Sequence, residues 1–446
     1  MRDRAVFLFP GLGAYSTGVL REARRNHPVV AETFDEIDAA AAGCGVPAVS
    51  GLLFGTQAPT IKDLLGQRAE LLQLAIFGVS VATHRILTGA GAEPDLLLGH
   101  SFGEMAALVC AGAFDLADGV RMVCARSEAL RPWEGLGAMA AIGTDEVTAG
   151  HLIGLVQEPE LVIGCANSPR QHVLSGPGKA LARVEEAADA LGLFFARLNL
   201  PYASHHPSMT LAVPIFCELM AQIRQKPLRL PVYSPIHGRR YTDADDLKQA
   251  IADCLVLPVR FTDAVRALHA QGWTRYVEVG ALNALTRCVQ ATVPDVHTHA
   301  PLLLPEEETA GLRAAVEAIR ADGAGPVSGQ PGPEAAVVAQ PVPEPAPAIP
   351  AARPAPPQPG GGRAEVLDRL RRLYAEALEY PAEVLAEDSA LEAELGVDSL
   401  KQTSLLKRVV EQFGLPESPG DLRVWELPTL GRIADFVLAA RNGAVR

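Results

Sequence analysis

The 446-residue sequence predicts an α/β protein with a ferredoxin-like insert, followed by a linker and a small all-α domain of four helices. Three observations carry that reading. Short apolar runs alternate with helical stretches over residues 1–320, a βαββαβ rhythm runs from Ala138 to Leu198, and the composition turns sharply to Pro, Ala and Gly over residues 321–363. The remainder, residues 364–446, forms the small domain.

In chain order, Val6–Phe9 and Leu96–Leu98 read as buried strands that end in glycine-containing turns, and Leu72–Leu87 and Glu104–Cys110 carry helical spacing. The insert, about residues 136–199, is built from strands at Ala138–Ile142, Leu161–Ala166, Gln171–Leu174 and Phe194–Leu198, with helices at Asp145–Leu155 and Lys179–Leu191. Arg275–Val279 makes a further buried strand. The stretch around Pro341-Val342-Pro343-Glu344-Pro345 cannot bury enough apolar surface to fold, and its prolines favour extended polyproline II, so it reads as a linker. Beyond it, Val366, Leu370, Leu373, Tyr374 and Leu378 share one helical face. A second amphipathic run begins at Ser399 and includes Leu405, Leu406, Val409 and Phe413, and a last helix after Pro428 turns Ile433, Phe436 and Val437 inward.

Bulk properties narrow the function. A net charge of −13 argues against nucleic acid, because gripping phosphates needs a basic face. Seven cysteines, odd in number and without CxxC or Cys/His spacing, read as reduced thiols, neither a disulfide framework nor a metal site. No apolar run is expected to reach the roughly 20 residues of a membrane span, and the N-terminus passes directly into a strand without the apolar region of a signal peptide. A cytoplasmic protein without membrane partners is expected.

Two serines carry the chemistry. Gly99-His100-Ser101-Phe102-Gly103 fits the G-x-S-x-G elbow, in which a tight strand-to-helix turn holds the serine at a helix N-terminus. There the helix dipole and free N–H groups favour developing negative charge, and the Phe102 N–H is a natural oxyanion donor. A nucleophilic serine needs a base. His100 sits beside Ser101 and reads as a packing residue, while His205 and His206 follow the insert; spacing alone does not choose among the histidines. The second serine, Ser399, lies in Gly396-Val397-Asp398-Ser399-Leu400 at a helix start, near acidic Glu392 and Glu394.

The elbow extended to Glu104, the opening Phe9-Pro10-Gly11-Leu12-Gly13 and Tyr202-Ala203-Ser204-His205 together resemble the acyltransferase domains of fatty-acid and polyketide synthases, relatives of malonyl-CoA:acyl carrier protein transacylase. The resemblance covers roughly residues 3–305. It implies an α/β-hydrolase-like large subdomain with a ferredoxin-like small one, and a Ser101–His205 dyad that takes acyl groups from acyl-CoA. It also implies oxyanion donors at the backbone of Leu12 and Phe102, a carboxylate clamp at Arg126, and pocket positions at Asn167, Tyr202 and Ser204. Arg126 lies 25 residues after Ser101, and its planar fork suits a carboxylate. Three departures stand out: Leu12 and Cys254 occupy positions where the family usually has Gln, and Ala281-Leu282 replaces its Pro-Gly. Small Ser204 in Tyr-Ala-Ser-His leans toward methylmalonyl over malonyl, whereas bulky Phe102 in the elbow leans the other way.

Residues 364–441 resemble acyl carrier proteins, which implies a 4′-phosphopantetheine arm on Ser399. The implied partners are the chain's own carrier domain and separate ones, a ketosynthase or polyketide synthase, and a phosphopantetheinyl transferase. Two other readings remain at this point: an editing hydrolase with the same dyad, and a degenerate scaffold, altered at Leu12 and Cys254, that only presents its carrier.

Overall fold

The computed structural model describes residues 4–198, 200–321, 363–378 and 429–441, together with Glu387 and Leu405, Leu406, Arg408, Val409, Gln412 and Phe413. The chain divides into two compact units, Met1–Val327 and Ser328–Arg446. The linker expectation and Ser399 with its acidic neighbours lie outside the described residues.

The first unit is organised on a six-stranded sheet. Its strands are β1 (Ala5–Phe9), β2 (Leu96–Gly99), β7 (Val232–Ser234), β8 (Arg239–Arg240), β10 (Arg275–Glu278) and β11 (His297–His299), arranged β11-β10-β1-β2-β7-β8. All neighbours are parallel except the short edge pair β7–β8. Strand alternation explains why β1 and β2 are apolar throughout. Ala5, Phe7, Phe9 and Leu97 enter the core on one side, whereas Val6, Leu8, Leu96 and Leu98 enter the core on the other.

The helix Ala69–Gly89 fills the first of these cores, with sixteen buried residues. At 21 residues and mean hydropathy 1.4 it is long and apolar enough to cross a membrane, which corrects the expectation that no run reaches that length. The physical reason is burial: 83 % of its apolar window is inside the protein, so nearly its whole circumference must be apolar.

The insert folds as expected in order and type. Strands β3 (Ala138–Ile142), β4 (Val162–Ser168), β5 (Gln171–Gly176) and β6 (Phe195–Arg197) alternate with helices Glu146–Val156 and Gly178–Ala190. The order β6-β3-β5-β4, antiparallel throughout, is ferredoxin-like. The structure adds a fifth strand: β9 (Val259–Arg260), from outside the insert, pairs in parallel with Cys165–Ala166 of β4. One sheet face packs on the insert's helices through Ala140, Ile142 and Leu174, and the other sends Met139, Cys165 and Val173 into the main core.

In the second unit, helices Arg363–Leu378 and Leu430–Arg441 pack around a core of Val366, Leu370, Leu373, Tyr374, Leu405, Leu406, Val409, Phe413, Ile433 and Val437. Phe436 is only partly buried against that core. The described helical positions agree with the helical faces read from spacing.

Candidate active site

Ser101 stands between β2 and the helix Gly103–Cys110, at φ 54°, in the left-handed region. A non-glycine residue held there stores strain of order 1–3 kcal/mol. Neither Gly99 nor Gly103, the glycines that flank the turn, has a positive φ. Their role is close approach. A Cβ on Gly103 would come within 2.1 Å of the Phe9 carbonyl oxygen, and one on Gly99 within 2.3 Å of the Glu104 Cα. The elbow is thus pressed against the end of β1, where Gly11 also has Ser101 as a neighbour: a Cβ there would lie 3.7 Å from the Ser101 Cβ.

The Ser101 Oγ lies 2.7 Å from Nε2 of His205, a residue itself held at φ 57°. The Nδ1–H of His205 donates to the Leu257 carbonyl at 3.0 Å, which leaves Nε2 as the acceptor facing the serine. Burial pushes His205 down to about 3, the Leu257 hydrogen bond opposes this, and the charges of His100 and Arg126 add to the lowering. The imidazole is therefore neutral over the ordinary pH range. His206 does not reach the serine: its ring binds the Ser208 hydroxyl at 2.8 Å and the Glu160 carbonyl. His100 packs edge-on against Phe261 and uses Nε2 to bind the Asn167 Oδ1 at 2.8 Å. Asn167, expected at the pocket, is thus engaged by the residue preceding the nucleophile.

Arg126 rises from the helix Leu116–Leu130 and is only 5 % exposed. Its Nη1 donates to the Gln73 Oε1 at 3.1 Å and to the Tyr202 hydroxyl at 3.2 Å, and its guanidinium lies 5.6 Å from the Phe102 ring. Both partners are neutral, and among the described residues no carboxylate pairs with it. A buried cation without a counter-charge is costly and calls for an anion. Ser204 is buried beside His205, and among the described residues its hydroxyl has no hydrogen-bond partner. Among the described residues, the N–H groups of Leu12 and Phe102 have no backbone acceptor, so two donors flanking the elbow are free.

Sequence reasoning missed two groups here, Gln73 and the Leu257 carbonyl, and gave Glu104 no role of its own. Gln73 was legible as the one amide in Leu71-Leu72-Gln73-Leu74, a polar residue on a helix face that must be buried. The Leu257 carbonyl, a backbone group, leaves no residue-type signal. Glu104 accepts a hydrogen bond from the Tyr241 hydroxyl, and burial pushes its carboxyl up to about 7. At Cys254, flagged as a departure, burial pushes the thiol up to about 12.

Residues 6–322 match the family model of the acyl transferase domain, and residues 368–437 match that of the phosphopantetheine attachment site. The malonyl CoA-acyl carrier protein transacylase of Escherichia coli O157:H7 is 34 % identical over 313 residues, which cover 69 % of this chain and 98 % of that protein. A phenolphthiocerol/phthiocerol polyketide synthase of Mycobacterium tuberculosis is 28 % identical over 299 residues. That alignment covers 66 % of this chain but 19 % of the synthase, so the chain spans less than a fifth of its length. The solved malonyl CoA-acyl carrier protein transacylase of Coxiella burnetii superposes with a TM-score of 0.63 at 26 % identity, covering 71 % of this chain and 99 % of that one.

Proposed function

The chain belongs to the acyl transferase domain family, and from that premise we propose that Ser101 and His205 move a malonyl-type acyl group from coenzyme A to the thiol of a carrier protein, its own or a separate one, in polyketide or fatty-acid assembly. The observation that carries the malonyl-type assignment is Arg126, a buried guanidinium near the serine–histidine pair whose hydrogen-bond partners among the described residues are neutral. A substrate carboxylate supplies the missing charge, and the fork can hold it bidentately.

The Ser101 hydroxyl gives its proton to His205 Nε2 as the oxygen attacks the thioester carbonyl. The resulting oxyanion lies between the N–H groups of Leu12 and Phe102, at the positive end of the helix that follows. His205 returns the proton to the departing sulfur of coenzyme A, leaving an acyl ester on Ser101, and the second half-reaction runs the same steps in reverse. A carboxylate on Arg126 also cancels one of the charges that hold His205 down, so the donor itself makes the imidazole a better proton acceptor.

The attachment-site match supports a covalent 4′-phosphopantetheine, which supplies a thiol as the acyl acceptor. We assign its attachment to Ser399, where a phosphopantetheinyl transferase installs it, and a ketosynthase then consumes the loaded unit. Within the malonyl class, small Ser204 beside His205 leaves room for a 2-methyl branch and favours methylmalonyl. Discrimination of one methylene is worth only about 1–3 kcal/mol.

Two experiments test this reading. Arg126→Ala should lower Ser101 acylation by malonyl-type donors by roughly 30-fold to several thousand-fold, the range for removing one partner of a buried charge pair. Acetyl and propionyl donors should change little, and equal losses for both donor classes would remove the clamp. For pH, a base whose folded pKa is lowered keeps its active, neutral form down to that value. Single-turnover acylation should therefore stay level from about pH 8 to about pH 5 and fall only below that. A loss centred near the ordinary histidine value would show that His205 is not the base.

A further inference from the structure

His205 is held at φ 57°, a conformation that a residue with a side chain keeps only where its surroundings over-determine it. The Leu257 carbonyl fixes its ring, whereas the insert reaches its backbone. Ser175, in β5, is fully buried, and its hydroxyl donates to the Ser204 carbonyl at 2.6 Å. That carbonyl belongs to the planar peptide unit leading into His205, so its direction sets the plane against which φ of His205 is defined. Beside it, Gly164 of β4 sits at a β-bulge: Ile163 pairs with Leu174 and Cys165 with Val173, which leaves Gly164 as the extra residue. Bulges of this kind re-aim a strand beside an active site. A Cβ on Gly164 would lie 3.2 Å from the Ser175 Cβ, 3.3 Å from the His205 Cβ and 3.5 Å from the Ser204 carbonyl oxygen. Two neighbouring strands of the insert thus meet the Ser204–His205 peptide, while Ser101 meets the ring from the end of β2.

We propose that Ser175 is a positioning residue for the base: its hydroxyl locks the Ser204–His205 peptide in the orientation that aims His205 Nε2 at the Ser101 hydroxyl. This role rests on the Ser101–His205 reading above. Turning the peptide back toward an ordinary negative φ would swing the His205 Cα–Cβ bond, and the imidazole with it, away from the serine. Ser175 opposes that turn, because losing the contact would leave a fully buried hydroxyl without its acceptor. Gly164 supplies the room, since a side chain there would press on the His205 Cβ. Ser175 acts through the base and not on the reacting atoms, which makes the insert's sheet part of the catalytic geometry.

The test is a double-mutant cycle on the full chain, reading single-turnover acylation of Ser101 by malonyl-coenzyme A with and without the His205 ring. Ser175→Ala should slow acylation at saturating donor by about 10- to 100-fold and leave the half-saturating concentration unchanged, because only the aim of the base is lost. In a His205→Ala background the same change should have no further effect, as no ring is left to aim. A merely structural role would slow both backgrounds alike. Equal slowing in both, or no slowing by Ser175→Ala while His205→Ala is slow, overturns the role of Ser175 and leaves the dyad standing. A wild-type chain that is not acylated, or a His205→Ala protein as fast as wild type, removes the dyad itself and this role with it. Should Ser175→Ala fail to fold, Ser175→Cys, which keeps nearly the same shape but only a weak donor, decides by the same cycle.

Discussion

A Ser101→Ala protein gains no acyl mass in the first unit when exposed to a malonyl-type thioester, and His205→Ala slows acylation of Ser101 by about 10²–10⁴-fold. The size of both effects follows from the geometry. Ser101 is held in the left-handed region, with its oxygen 2.7 Å from an imidazole nitrogen that has no other described partner. Among the described residues no carboxylate orients that imidazole; the Leu257 carbonyl does, by accepting from Nδ1. Removing the ring leaves the serine hydroxyl with no acceptor for its proton, while the free N–H groups of Leu12 and Phe102 remain to stabilise an oxyanion. The His205→Ala enzyme should therefore be slow but not dead. Intact-protein mass spectrometry after a timed quench measures both. Undiminished acylation of Ser101→Ala would move the nucleophile elsewhere.

The second large effect is at the other serine. Ser399→Ala should abolish every acyl mass gain in the peptide containing residue 399 while Ser101 is acylated at the wild-type rate. On the assignment proposed above, the arm is attached through the Ser399 hydroxyl alone, whereas the hydrogen bond between Ser101 and His205 is made within the first unit. Peptide mapping of the variant after exposure to donor separates the halves, and loss of Ser101 acylation in Ser399→Ala would contradict their independence. Acyl groups still recovered near residue 399 would place the attachment at another residue.

Much of this architecture could be read from residues because local rules and the fold agree. The elbow was legible since glycines flank the serine where a Cβ would strike Phe9 or Glu104, a constraint that writes itself into the sequence. The insert was legible from its alternating periods, and the helical faces of the second unit from the spacing of Val366, Leu370 and Tyr374. What escaped was set by tertiary contact. Strand β9 has two residues, too short for any period, and exists because Cys165–Ala166 offers it an edge. Spacing did not choose His205 over His206; the resemblance did, and in the fold the choice turns on a positive φ and a carbonyl 52 residues away. Gln73 was visible as an oddity in an apolar helix, but its purpose emerged only when Arg126 was found against it.

The central claim is that acyl groups reach the carrier by way of an ester on Ser101. The most direct measurement is a quenched-flow time course on the phosphopantetheine-bearing chain with a malonyl-type coenzyme A donor, mapping acyl mass to the Ser101 and Ser399 peptides. The account predicts that the Ser101 peptide gains the acyl group first and that the Ser399 peptide gains it later, with neither labelled in Ser101→Ala. Acyl mass on the Ser399 peptide of Ser101→Ala, arriving as fast as in the wild type, would contradict it.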